Sequence, residues 1–425
     1  MVRFISGAVA CALLASCSAR TTLVEPKFAD SLLGRYQPSE ALTTVQGDLA
    51  FWKNRVDQLP FDITNQQKLA GALTERFQLA GDVHDIITAD SLLSNLNVFY
   101  RGKEAGILLA LAHIKMTRHQ FPGAKLLIDS ALALRAMPYA TTMASFDAAF
   151  ELGYEAKANS LLHTVFGRND YGYYFRLAKI EHNQGNADSA IAHMERAARA
   201  TENPIQKAAA LSNAADLELH SGDAEAAASL YRECLRLNPS DFHSITGLGR
   251  IALVHDGNPA LATRIYDFVG RHHGSPDPLW RAAQAQELTN AAAARKYALG
   301  FAAQATAPEY GNMYNKYLID LYTGMLNEPA QALLAAQRER SNRATPQTAA
   351  WLAWSLSACG RNNEAYALYR KEIAGKPLET LELFWMGKMM KALGKGFDAQ
   401  QFFKAANDNR YDLSPRQQHE LKAAL

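Results

Sequence analysis

Cysteine is scarce in this chain, four in 425 residues. Cys11 and Cys17 fall at the very start, and Cys234 and Cys359 lie far apart in the body. No two are spaced like a disulfide scaffold or a zinc loop, so Cys234 and Cys359 read as small buried apolar residues. Charge of one sign is also missing. There are 44 Lys and Arg against 42 Asp and Glu, a net +2, which gives no reason to expect nucleic acid as a partner. No apolar run reaches the ~20 residues of a membrane-spanning helix. Strand signals are absent too: the single Asp-Gly step, Asp256-Gly257, is flanked by helical patterning. No phosphate loop, His-Glu-x-x-His zinc motif or nucleophile elbow occurs.

What the sequence has is one unit repeated. From Ala208 to Pro239, two helical stretches meet at Gly222-Asp223. Small residues stand seven before the turn (Ala215) and five after it (Ala227), so two helices can cross closely. Larger ones, Leu211, Tyr231 and Cys234, fill the space beside the crossing. Sliding this template along the chain puts turn markers at Gly81, His119, Gly153, Gly185, Gly222, Gly257, Asn290, Asn327, Gly360 and Gly394, spaced by 32 to 38 residues. Ala recurs five after the turn at Ala124, Ala158, Ala190, Ala227, Ala262, Ala332, Ala365 and Ala399. Prolines at Pro138, Pro204, Pro239 and Pro377 close units. The units at Gly81, with Thr74 and Asp90 in packing slots, at Gly257, with Gly249 one place early, and at alanine-rich Asn290 depart from the template.

The template resembles the tetratricopeptide repeat, a helix–turn–helix unit of about 34 residues. That resemblance implies an all-α, right-handed α-solenoid of about ten helix pairs over residues 39–425, with a polar capping helix at 414–425. It also implies a concave groove, lined by the first helix of each pair, that holds a protein or peptide partner.

The beginning of the chain has its own signature. Arg3 precedes an apolar run, Phe4 to Ala15, of signal-peptide length. The run ends in Leu14-Ala15-Ser16-Cys17, which is similar to the lipobox of bacterial lipoproteins. The resemblance implies cleavage after residue 16, lipidation of Cys17, and a tether over 17–38. It implies a cell-envelope address, with Ser18 favouring the outer membrane, facing the periplasm. Two or three acyl chains anchor a protein firmly.

Chemistry-bearing motifs are weak. Gly247-Leu248-Gly249-Arg250-Ile251-Ala252 matches a loose dinucleotide pattern but sits inside a helix, where Gly249 serves close packing. His272-His273 reads as a solvated loop between repeats. No catalytic, cofactor or metal residues are expected, and the chain reads as a non-enzyme. The candidate partner groove comprises Tyr314, Tyr317, Trp351, Trp354, Phe384, Trp385 and Lys388, with a basic patch of Arg176, Lys179 and Arg250 (and His182 and His243) further back. At least one of the three tryptophans is expected to be exposed. The functional expectation is a membrane-anchored interaction scaffold or accessory subunit of an envelope complex. The alternative is a lipoprotein that uses the aromatic groove to take up peptides or glycans.

Overall fold

The computed structural model describes residues 21–135 and 137–425, and every regular element among them is helical. Two helices come first, α1 (Pro26–Gly34) and α2 (Glu40–Gln58). Ten hairpins follow. They are α3 (Ile63–Ala80) with α4 (Val83–Phe99), α5 (Ala105–Thr117) with α6 (Phe121–Ala133), α7 (Pro138–Glu151) with α8 (Glu155–His163), and α9 (Tyr171–Asn183) with α10 (Ala187–Arg199). Next come α11 (Pro204–His220) with α12 (Ala224–Leu237), α13 (Phe242–Val254) with α14 (Pro259–His272), and α15 (Asp277–Gln286) with α16 (Ala291–Ala305). The last three are α17 (Asn315–Thr323) with α18 (Pro329–Asn342), α19 (Pro346–Ala358) with α20 (Asn362–Leu368), and α21 (Thr380–Ala392) with α22 (Gly396–Asp408). A π-helical turn, Tyr369–Ile373, prolongs α20, and α23 (Pro415–Ala424) ends the chain.

The turn markers act as the spacing predicts. Nine of the ten have positive φ, from 53° at His119 to 95° at Gly222, the left-handed conformation that ends a helix. The exception, Asn290, caps α16 instead, its side chain accepting the Ala293 N–H at 3.0 Å. Pro138 and Pro204 occupy the first turns of α7 and α11. They open the next unit rather than closing the previous one, since a missing N–H costs nothing there.

The crossings are as tight as the small residues imply. All eight alanines five after the turn are buried. A Cβ on Gly247 would lie 2.2 Å from the Tyr231 ring, and one on Gly249 would lie 2.7 Å from Tyr266. The glycine pattern in α13 therefore serves helix packing. Cys234 is buried, but Cys359 is only half-buried because it caps the exposed end of α19.

One feature has no precursor in the sequence pattern. The array winds until its second half lies against its first. The Gly274 N–H reaches the Ala80 carbonyl at 2.7 Å. Arg118 donates to the Glu309 carbonyl, Asn342 to the His119 carbonyl, and Arg343 to Glu151. The turns within the early hairpins thus pack on the connections between late ones. His273 is half-buried in this junction, over Gly81, and so departs from the solvated loop expected of it, whereas His272 is exposed at the end of α14, against Tyr36 and Phe268. Asp90, out of pattern for its slot, pairs with Lys115 and Arg118.

Part of the expected tether is also ordered. Residues 26–34 form α1, which lies along α14, with Asp30 paired to Arg264 and the Leu23 and Val24 amides on the Asp256 carboxylate. Residues 1–16 and Cys17 lie outside the described residues.

Candidate functional site

First helices of successive hairpins turn their inner faces toward a central cavity of about 790 Å³. Its wall draws on α9, α11, α13, α15 and α17 and is rich in ionised groups. His243 lies 2.7 Å from Asp216, which also accepts from the Tyr231 hydroxyl. The Asp216 charge raises His243 to about 9. Burial pushes Asp216 up, but His243 and the two hydrogen bonds outweigh it and leave the carboxyl below its usual range. Arg281 pairs with Asp277 at 2.6 Å. Lys316 sits between Glu379 (3.0 Å) and Glu382 (3.1 Å). Burial works against its ammonium, yet the two carboxylates hold its pKa above the normal lysine value.

The aromatic residues proposed as a partner groove are not open. Trp351, Trp385 and Phe384 are each 2% exposed, and Trp354 and Tyr314 are 9% exposed. All three tryptophans are therefore core, against the expectation of an exposed one. Trp354 stacks on Trp385 at 6.2 Å between successive hairpins. The Trp351 indole donates to Glu382 at 2.5 Å and lies under Arg343. Tyr317 is half-buried on the cavity wall beside Trp280. Lys388 pairs with Glu420 of α23 at 2.8 Å.

The basic patch is likewise consumed. Arg176 pairs with Asp147, and Lys179 with Glu151. Arg250 is buried, with its donors on the Tyr411 and Leu413 carbonyls and Gln284. Among the described residues no group of three or more His, Cys, Asp or Glu is placed to hold a metal ion.

The C-terminal residues that take up Arg250 also line the cavity. The α23 helix has the capping box its Ser414 and Gln417 imply. It does not simply shield an open end, because it turns inward. The Gln417 amide donates to Asp320 at 2.7 Å and the Arg416 N–H to Glu287 at 2.8 Å. Burial raises Asp320 to about 6 and Glu287 to about 7. Both folded values exceed the unfolded ones, so their contribution is full below about pH 4 and is lost as pH rises through 6 to 7. The share of these two groups in overall stability, read by denaturant unfolding, is expected to be larger at pH 5 than at pH 8. Asp320→Asn with Glu287→Gln is expected to flatten that difference.

A second surface was not anticipated. Stacking covers the hairpin-connecting edge of the second half but leaves that of the first half free. There Phe61 is 93%, Val98 77% and Phe166 76% exposed. Phe99, Leu134 and Met137 are exposed on the same connections, alongside Arg101, Lys103 and Arg135. The signal was readable: the connections after α4, α6 and α8 each pair an apolar residue with a cation, whereas Phe61 stands beside Asp62.

The comparisons with known proteins bear on the hairpins themselves. A family description, Tetratricopeptide repeat, matches residues 171–204 and 208–241, the hairpins α9–α10 and α11–α12. Two of the ten hairpins are tetratricopeptide repeats. No curated protein matches the chain. Among solved structures, a tetratricopeptide repeat protein from Parabacteroides merdae ATCC 43184 is similar at 15% identity, over 60% of this chain and 98% of that one, with a TM-score of 0.35. The fold is an all-α, tetratricopeptide-like solenoid, an architecture that commonly serves as a protein-interaction scaffold.

Proposed function

We propose that this chain is a lipid-anchored, non-catalytic scaffold or accessory subunit of a bacterial envelope complex, held to the outer membrane on its periplasmic side. The lipobox supports the anchor. No helix among the described residues is long and apolar enough to cross a membrane. Because Leu23 and Val24 are clamped to Asp256, only residues 18–22 are left as a leash. At up to about 3.5 Å per residue that reaches roughly 18 Å. The bilayer then lies near the Asp256–Gly257 turn.

The observation that carries the scaffold reading is this uncovered edge. A row of exposed apolar side chains with cations beside them suits a protein partner with an acidic, partly apolar surface. It takes over the role expected of the aromatic groove. A second reading, uptake of a peptide or glycan, draws support from the cavity, where Trp280 and Tyr317 form an aromatic corner.

The test has two parts. Cys17→Ser is expected to release the protein from the membrane fraction, and an unmodified Cys17 in the membrane-bound protein, seen by mass spectrometry, would refute the anchor. Photocrosslinking residues at Phe99 and Phe166 are expected to give one discrete protein adduct that the exposed control position Lys157 does not. Adducts only from the cavity position Asn213 would favour the uptake reading instead.

A further inference from the structure

The residues after α22 sit on the inner wall in the manner of a bound peptide. Arg250 spends its guanidinium on backbone, with Nη2 at 2.7 Å from both the Tyr411 and Leu413 carbonyls and Nε at 3.1 Å from the former. Between those carbonyls the Asp412 carboxylate accepts from the Thr380 hydroxyl at 2.8 Å and lies 2.6 Å from His220 Nδ1. The flanking side chains go to separate apolar slots. Tyr411 is buried among residues of α11, α13 and α14, and Leu413 is fully buried in the main core. Four features are read at once: a 3₁₀ turn of backbone, an aromatic side chain, a carboxylate and an aliphatic side chain.

Sequence position does not require this arrangement. A capping helix needs only to cover the last hairpin. Here α23 covers the last hairpin, and residues 411–413 reach beyond it to α11 and α13, where Arg250 is a buried cation whose hydrogen bonds go to two backbone carbonyls and an amide. Such a cation is costly to leave unpaired, so this seat is built to be filled.

We propose that Tyr411-Asp412-Leu413 is a resident occupant of a peptide seat formed by Arg250, His220 and Thr380, and that the seat also takes a partner segment carrying an aromatic–Asp–aliphatic triplet. The inference is independent of the exposed edge. It concerns the opposite, inner surface and makes the chain its own competitor. An external peptide sees only the fraction of molecules whose resident segment is out, and its apparent affinity falls by that fraction.

The probe is a fluorescein-labelled synthetic peptide of residues 408–416, measured by anisotropy against the full mature chain. Asp412→Ala in the protein weakens the resident segment while leaving the seat intact. That variant is expected to bind the peptide at least tenfold more tightly than wild type. Replacing the peptide's own Asp by Asn is expected to cost about tenfold or more, as is His220→Gln with Thr380→Val in the protein. Equal binding to wild type and Asp412→Ala, or indifference to the peptide's Asp, would overturn the proposal. Should Asp412→Ala fail to fold, wild type decides the matter by hydrogen exchange. Excess unlabelled peptide is expected to deprotect amides 411–421, and unchanged protection would count against the seat being exchangeable.

Discussion

Arg343→Met is expected to cost roughly 3–5 kcal/mol, because it strands a buried carboxylate. Arg343 donates to Glu339 at 2.7 Å and to Glu151 at 2.8 Å. Glu339 is 1% exposed, and its remaining partner is the Asn315 amide at 2.7 Å. Glu151 belongs to α7 and Glu339 to α18, so one guanidinium ties the first half of the array to the second. Lys179 completes the chain at 3.2 Å from Glu151. Burial alone pushes Glu151 up, but Lys179 and Arg343 bring it below the usual carboxylate value. Loss of Arg343 both removes the tie and leaves the buried Glu339 without its counter-ion. Adding Glu339→Gln to the variant is expected to recover a large part of the loss, since the neutral amide needs no counter-ion. Denaturant unfolding of wild type, both singles and the double measures the coupling. The first transition is the one to watch, because long repeat arrays unfold in parts. Additive single effects would show that Arg343 and Glu339 are not coupled.

Local structure was legible because each hairpin carries its own punctuation. A left-handed turn favours Gly or Asn (His119 is the one other residue that takes it among the markers), a close crossing favours Ala, and both recur within one unit. Closure of the array was not legible. It rests on a few contacts about 190 residues apart, such as Gly274 to Ala80, and no periodicity reports them. The misread basic patch has a different cause. No acid lies three or four residues from Arg176, Lys179 or His243 in the sequence, so nothing local marks them as paired. Their partners Asp147, Glu151 and Asp216 stand 27 to 29 residues away, about one repeat back. First helices of neighbouring hairpins lie side by side, so an acid one repeat from a base is the pattern to seek. Lys388 and Glu420, 32 apart, follow the same rule.

Trp385→Ala is expected to destabilise the second half by about 3–5 kcal/mol, the range for a buried aromatic truncated in a core. The packing slots around each turn are filled by other residues, Leu352, Leu356, Tyr369 and Phe403, which is why one tryptophan is expected to be exposed. Those slots belong to the crossing inside one hairpin. A solenoid has a second interface, between successive hairpins, and that is where these rings lie. Trp354 and Trp385 stack at 6.2 Å with planes 10° apart, and the Trp354 indole donates to Thr323 at 2.9 Å on the preceding hairpin. Three hairpins are therefore joined through two rings, and a cavity left by Trp385 can close only if α19 and α21 shift together. Phe166→Ala, on an exposed side chain of the free edge, is expected to stay within about 0.5 kcal/mol of wild type. Acrylamide should quench the fluorescence of the folded protein far less than that of the unfolded chain. If Trp385→Ala left unfolding unchanged and abolished partner capture, the aromatic wall would be the binding surface after all. If Phe166→Ala lost the partner while keeping its stability, recognition would belong to the free edge.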